Sequence, residues 1–146
     1  MFKLEFCKSL SANDLGLTQS HQAGLLIPKR IARLPYFPIL DRFSENPRES
    51  MTFYSIDLKT SIQLSYIYYN NKDRGSGTRS EYRLTGTTKL FRELKAVPAQ
   101  NLEFGYIDNS VRAIIIKNEG EVEINSPNQA MRPYITTNGW KIVEQQ

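Results

Sequence analysis

Residues 61–85 read SIQLSYIYYNNKDRGSGTRSEYRLT, and they carry the clearest structural signal in the chain. From Ser61 to Tyr69, apolar or aromatic residues recur at every second position, the pattern of a strand with one buried face. The turn-forming residues Asn70 to Gly77 then separate this strand from a second alternating run, Ser80 to Thr85. The segment therefore predicts a β-hairpin.

The second strand of this hairpin places charge on one face. Arg79, Glu81 and Arg83 alternate along the strand, so all three can address the same surface. The segment from Lys72 to Lys95 contains seven basic and three acidic residues, a net charge of +4 that equals the +4 of the whole chain. Such a segment fits either a surface for a polyanion or an ordinary solvated hairpin face.

The rest of the chain predicts further short β-strands and two short helices. Alternation and β-branched content predict strands at Phe2–Cys7, Ala23–Ile27, Met51–Leu58, Leu102–Ile107, Val111–Lys117 and Glu121–Ile124. Pro28 can open a helix over Lys29–Leu34, and Thr88 can cap a helix over Lys89–Lys95. We expect an extended surface connection over Pro35–Ser50, and a mostly irregular tail over Asn125–Gln146 in which Trp140 docks on the body. About seven strands with short turns favour a closed or nearly closed antiparallel barrel.

Composition indicates a single folded domain spanning residues 1–146. The chain has 40% hydrophobic and 23% charged residues, which is typical of a globular protein. With Cys7 as the only cysteine, neither an internal disulfide nor a thiolate zinc site can form, so a cytoplasmic location is expected. No run approaches the roughly 20 apolar residues of a membrane span, and no membrane association is expected.

Patterns for catalysis are weak. Asp57-Leu58-Lys59 and Glu93-Leu94-Lys95 match the acid-x-lysine triple of metal-dependent nucleases, but three-residue patterns recur by chance and Glu93 falls in a predicted helix. A triad of Ser11, Asp14 and His21 lacks the glycines of a nucleophile elbow. There is no glycine-rich phosphate loop. We therefore expect no catalytic residues, no cofactor and no metal site.

Two segments resemble a known family. Residues 8–28, KSLSANDLGLTQSHQAGLLIP, resemble the N-terminal effector-binding domain of EcoRII-type restriction endonucleases. Tyr68-Tyr69-Asn70 followed by TRSEYRLT at residues 78–85 resembles a second part of that domain, in the same order and at a similar separation. Together the two segments cover the first two thirds of the chain.

The resemblance implies a DNA-binding pseudobarrel, a fold shared with the plant "B-three" domain, in which two arms grip the major groove. With the strand count, this gives a mainly β fold, a seven-stranded open antiparallel pseudobarrel with two short helices.

The Ser-Ala-Asn-Asp loop corresponds to the first arm and the Arg79–Arg83 hairpin to the second. Lys8, His21, Arg79, Glu81 and Arg83 match family positions that contact DNA. The predicted DNA-binding residues are Lys8, Ser11, Asn13, Asp14, His21, Lys72, Arg79, Ser80, Glu81, Tyr82 and Arg83. The chain has Leu26, Gly77 and Tyr82 where the family has tyrosine, lysine and lysine, so the resemblance does not define the recognised bases.

The chemistry of these residues suits base readout. Arginine can donate two parallel hydrogen bonds to guanine and a carboxylate can accept one from cytosine, so we expect a short site containing G and C. Lys8 and Lys72, at the roots of the arms, suit phosphates. Two alternatives remain open. Glu81 can simply form a cross-strand salt bridge with an arginine, and Asn13 and Asp14 can hydrogen-bond the backbone of their own turn.

The sequence thus supports three hypotheses. The first is a double-stranded DNA reader, the recognition or effector-binding domain of a type II restriction endonuclease whose catalytic nuclease domain lies outside this chain. The second is a free-standing DNA-binding module such as a transcription regulator. The third is a small metal-dependent nuclease that uses Glu93 and Lys95.

Overall fold

The computed structural model describes residues 1–18, 24–118, 134–137 and 139–143. Within these ranges the chain forms nine strands and two helices. In chain order they are β1 (Phe2–Ser9), β2 (Leu25–Ile27), α1 (Lys29–Ala32), β3 (Arg48–Ser55), β4 (Thr60–Tyr69), β5 (Glu81–Thr85), α2 (Thr87–Leu94), β6 (Asn101–Ile107), β7 (Val111–Lys117), β8 (Tyr134–Thr137) and β9 (Trp140–Val143).

All nine strands belong to one open sheet in the order β2-β5-β4-β3-β7-β6-β1-β9-β8. The predicted mainly β fold with two short helices is confirmed, with two differences. The described strands number nine and not seven, and β3 pairs with β7 in parallel through Tyr54↔Ala113 and Ser55↔Ile114. Alternation indicates which face of a strand is buried but not its direction, so sequence alone could not reveal the parallel pair.

The prediction of an irregular tail is wrong for Tyr134–Thr137 and Trp140–Val143, because β8 and β9 form an antiparallel hairpin there, and residues 125–133 lie outside the described residues. The sequence did contain a signal for it, since Asn138-Gly139 is a dipeptide typical of two-residue hairpin turns. The docking of Trp140 is confirmed. Its side chain is only 1% exposed, and its ring lies 5.9 Å from those of Phe6 and of Phe104.

The connection that precedes β3 sends two aromatic rings into the core, while Ile39 and residues 41–45 run over the surface as predicted. Tyr36 and Phe37 are 2% and 4% exposed. The Phe37 ring lies 5.7 Å from Phe6 on β1 and 4.7 Å from Tyr66 on β4, although these strands stand four places apart in the sheet. The sheet therefore curls around this aromatic plug as a half-barrel. The prolines of the segment predicted a surface path. The free energy gained by burying the two aromatic rings explains why Tyr36 and Phe37 depart from it.

The helices differ from prediction at their ends. Helix α1 is two residues shorter than expected. Helix α2 begins at Thr87 after Gly86, which takes a left-handed φ of 89°, and no side chain caps it, so the prediction of Thr88 as cap is wrong. Leu90 and Phe91 face the core. No described helix is long and apolar enough to cross a membrane. The predicted strand at Glu121–Ile124 lies outside the described residues.

Candidate nucleic-acid interface

The two predicted arms meet at an open groove with a volume of about 420 Å³, which we call the arm groove. Six of the predicted residues line it, namely Lys8, Asn13, Asp14, Ser80, Glu81 and Arg83. The remaining lining residues are Gly24, Leu26, Ile27, Pro28, Lys29 and Trp140. Segments far apart in sequence thus converge on a single concave surface.

The first arm is a turn held together by Asp14. The Asp14 carboxylate oxygen Oδ2 accepts hydrogen bonds from the Ser11 backbone N–H and from Lys8 Nζ, both at 2.9 Å. In return the Asp14 N–H donates to Ser11 Oγ at 3.1 Å, while Asn13 Oδ1 accepts a 2.7 Å hydrogen bond from Thr18. The Asp14 contact with the Ser11 N–H matches the alternative in which this side chain hydrogen-bonds the backbone of its own turn, whereas the Asn13 contact is with a side chain, that of Thr18. They also fix both side chains at the rim of the arm groove.

The second arm carries an ion-pair ladder. Glu81 Oε1 accepts from Arg79 Nε at 2.7 Å, and Glu81 Oε2 lies 3.3 Å from Arg83 Nη2. Arg83 Nη1 also donates to the carbonyl of Gly24, at 3.5 Å. The expected grouping of these residues is observed. Glu81 does form a salt bridge with an arginine, but its partners are both in the same arm, so the bridge is not the cross-strand one that the sequence left open. Glu81 thus orders both guanidinium groups.

The two arginines differ in accessibility. Arg83 is 5% exposed and belongs to the wall of the barrel as much as to the groove. The Arg79 side chain is 38% exposed, and its guanidinium carbon lies 3.8 Å from the centre of the Tyr69 ring. Stacking on Tyr69 and pairing with Glu81 hold Arg79 at the edge of the arm groove, with part of its fork turned to solvent.

A hydrogen-bonded chain supports the second arm from below. Lys29 Nζ donates to Ser80 Oγ at 2.9 Å, Ser80 Oγ lies 3.1 Å from the Tyr68 hydroxyl, and that hydroxyl donates to Asp73. Burial, followed by the hydrogen bond to the Asp73 carboxylate, raises the pKa of Tyr68, so the phenol keeps its proton. Ser80 was predicted as a DNA contact, and the structure gives it this bracing role as well.

The other predicted residues occupy different positions. Tyr82 stacks on Tyr68 with ring centres 4.3 Å apart and does not line the arm groove. Lys72 is exposed on the hairpin turn, where its N–H donates to the Arg79 carbonyl at 2.9 Å. Ser11 is exposed beside Asp14. His21 lies outside the described residues.

Six residues of the arm groove were not predicted, and Lys29 and Trp140 are the two among them whose side chains end in a polar N–H or ammonium group. Lys29 begins α1 directly after Pro28, and the sequence predicted this position only as the start of a helix. Trp140 is the single tryptophan of the chain and was expected to dock, but its distance in sequence from both arms concealed its place in the groove. Pairing of β9 with β1 brings it there, through Lys8↔Trp140.

The nuclease patterns do not assemble a site within the described ranges. Asp57 accepts a hydrogen bond from the Ile116 N–H at 2.8 Å and so braces β7. Glu93 lies on α2, 4.0 Å from Lys89. No group of three or more His, Cys, Asp or Glu side chains among the described residues is placed to hold a metal ion.

The groove offers complementary chemistry to a nucleic acid. Lys8, Lys29 and Arg83 line the groove with two carboxylates, Asp14 and Glu81, and Arg79 pairs with Glu81 beside it, so the surface is positive with two acceptor positions. Guanidinium and ammonium groups suit phosphates and guanine edges, and carboxylates suit the amino group of cytosine. Such a mixture of donors and acceptors complements the edge of a base pair, which presents both hydrogen-bond donors and acceptors.

Comparisons with solved structures show which known proteins share this fold. A structure described as the Arabidopsis FUS3–DNA complex matches with a TM-score of 0.60 and 16% identity, covering 81% of this chain and 100% of that one. The B3 domain of the UbaLAI restriction endonuclease, solved with its cognate DNA, matches with a TM-score of 0.50 and 24% identity, covering 82% of this chain and 70% of that one. The half-barrel is thus the same fold as in these two proteins.

Sequence comparisons identify the family. The type II restriction enzyme EcoRII of Escherichia coli is 39% identical over an alignment of 102 residues, which covers 66% of this chain and 24% of that enzyme. The chain therefore spans about a quarter of the length of this relative. The family described as "Restriction endonuclease EcoRII, N-terminal" matches residues 3–100, which include both arms. On this match, the chain belongs to the EcoRII N-terminal domain family.

Proposed function

We propose that this chain reads a specific sequence in double-stranded DNA by taking the major groove between its two arms. The observation that carries the proposal is the convergence of both arms on one positively charged groove. Membership of the EcoRII N-terminal family supports it. The two solved structures of the same fold are both described as containing DNA, which also supports it.

The proposed role within a larger protein is recognition or effector binding for a type II restriction endonuclease. The chain matches EcoRII over about a quarter of that enzyme's length and matches the family of its N-terminal domain, so the catalytic nuclease domain would lie outside this chain. The functional unit would then be this DNA-recognition domain joined to a nuclease domain. A free-standing regulator would use the same groove, and no contact among the described residues favours that alternative.

Selection of bound duplexes from a random pool tests the proposal. We expect enrichment of one short motif containing G and C, with an affinity on the order of 10⁻⁸ M at moderate salt and at least ~10³-fold preference over random duplex. A suitable control is Lys59→Asn, at the turn between β3 and β4. This change removes one charge at the opposite end of β4 from the second arm, and asparagine tolerates the φ of 55° found there. Equal retention of all duplexes by the unmodified chain would refute the proposal.

We further infer that reading proceeds without cutting. Glu93 and Lys95 lie at the end of α2, and Asp57 is engaged with the backbone of β7. Incubation of the selected duplex with Mg²⁺ should therefore leave it intact. Cleavage that disappears in Glu93→Ala would establish the nuclease hypothesis in place of this one.

A further inference from the structure

Lys29 differs from the other cations in and beside the arm groove in the partner that its charged group contacts. Lys8 pairs with the Asp14 carboxylate, and Arg79 and Arg83 share the Glu81 carboxylate. Lys29 instead donates to a neutral hydroxyl, Ser80 Oγ. Among the described residues, its positive charge is therefore not offset by a carboxylate in contact with its ammonium group.

The direction of the hydrogen bonds below Lys29 follows from the groups involved. An ammonium group only donates and a carboxylate only accepts, so Lys29 donates to Ser80 and Tyr68 donates to Asp73. The Ser80 hydroxyl must then donate to the Tyr68 oxygen. Ser80 has no second proton to offer, and it serves Lys29 purely as an acceptor.

This arrangement leaves Lys29 able to bind a ligand while it stays anchored. The ammonium group carries three protons, and Ser80 accepts one. Lys29 is exposed and lines the arm groove between the two arms. Its backbone is fixed by neighbours in the core, since Ile27 and Ile31 are 1% and 0% exposed. Because the Lys29 backbone is fixed and its ammonium group has protons that Ser80 does not accept, this side chain can donate to a phosphate oxygen.

We propose that Lys29 contacts a phosphate of the DNA strand that lies between the arms, with Ser80 setting the position of its ammonium group. The inference rests on the proposed DNA-reading function and adds to it a contact outside both arms. A phosphate contact carries no base information, so Lys29 sets the register of the duplex while the second arm reads it. Lysine, as a compact charge with three donors, suits this role.

The test measures affinity against salt concentration for the selected duplex and for a random duplex. Lys29→Ala should weaken binding to both by a similar factor, on the order of tenfold. The slope of log affinity against log salt should fall by about 0.9 in magnitude, the value for one lost phosphate contact. Lys29→Arg should restore most of the slope, because the guanidinium keeps the charge.

Arg30→Gln is the matched control, since Arg30 is the next residue of α1, is also exposed and does not line the arm groove. It should leave the slope unchanged. If the unmodified chain discriminates between duplexes but Lys29→Ala keeps its salt slope, the inference about Lys29 is wrong and the reading function stands. If the unmodified chain does not discriminate, the reading function itself fails.

Discussion

Two arginines that the sequence treats as equivalent have different roles in the structure. Both belong to the alternating face of the second arm, and both pair with Glu81. Arg83 is buried and bonded to the Gly24 carbonyl, whereas Arg79 is partly exposed on Tyr69. Arg83 therefore contributes to folding as well as to the groove, while Arg79 is the more available reader.

Alanine at each position should separate these roles. Arg83→Ala removes buried packing and a partner of Glu81, so the free energy of unfolding should fall by about 2 to 4 kcal/mol. Arg79→Ala should change stability by less than about 1 kcal/mol because its ion pair is partly exposed. It should nevertheless cost roughly 1 to 3 kcal/mol of binding and relax preference at one base pair. Urea unfolding and a panel of single-base variants measure both. Equal stability losses in the two variants would contradict the assignment.

The composition of the second arm could be predicted because three charged residues alternate on one strand, and alternation alone places them together. Their accessibility could not, since burial of Arg83 depends on strand β2 packing beside β5. Lys29 and Trp140 illustrate the same limit. Each reaches the arm groove through tertiary packing that no local pattern encodes.

At the level of elements, the return of the first arm to the sheet depends on close backbone approach at Gly24. A Cβ placed there would lie 2.3 Å from the Leu84 carbonyl oxygen of β5, and the φ of 82° is already unfavourable for other residues. The same backbone carbonyl of Gly24 accepts from Arg83. This glycine thus lets β2 and β5 form one wall of the groove.

Gly24→Ala should therefore lower the free energy of unfolding by about 3 kcal/mol or more, combining the left-handed conformation with a clash against backbone that cannot move aside. Gly75→Ala is the control. Gly75 has a similar φ of 73° but nothing within 4 Å of the added carbon, so only about 1 to 2 kcal/mol should be lost. Denaturant unfolding of both variants provides the comparison. If both variants lose a similar free energy of unfolding, the positive φ alone would explain the need for glycine at position 24, and the close approach to Leu84 would not contribute.

The elements themselves were predictable where a strand has one buried face. Strand β7 was predicted with its observed bounds, and β4 and β5 to within one residue at their starts. The aromatic plug was not, because Tyr36 and Phe37 lie in a proline-rich segment without periodicity. Their burial is decided by the space that the curled sheet leaves between β1 and β4.

At the scale of the whole molecule, buried acids set an alkaline limit to stability. Burial, followed by the nearby Glu103 carboxylate, raises the pKa of Cys7 from 9.0 to about 11, while Lys141 opposes the shift. Burial also raises the pKa values of Tyr36 and Tyr66. These groups ionise more readily in the unfolded chain, so unfolding releases protons at high pH. The contribution of these groups to stability should then be constant below about pH 9 and fall above it.

The contribution of Cys7 can be isolated. Between pH 9 and pH 11 the thiol should cost up to about 3 kcal/mol, since each unit of pKa shift corresponds to about 1.4 kcal/mol. Urea unfolding of the unmodified chain and of Cys7→Ala at pH 8, 9 and 10 measures this. The variant should lose less stability over that range. Parallel curves would show that Cys7 does not take part in the alkaline transition.

The position of β1 in the sheet has a consequence for how the protein is made on the ribosome. Strand β1 lies between β6 and β9, so it leaves the exit tunnel before the other strands of the sheet and pairs only with segments that begin about a hundred residues later. At a synthesis rate of roughly 5 to 20 residues per second, β1 waits on the order of 5 to 20 s for its first partner. Lys8 and Trp140 meet across the β1–β9 pair, so the arm groove is completed only after translation has passed residue 140. A nascent chain therefore cannot engage DNA through the complete groove until the ribosome has added the β9 strand.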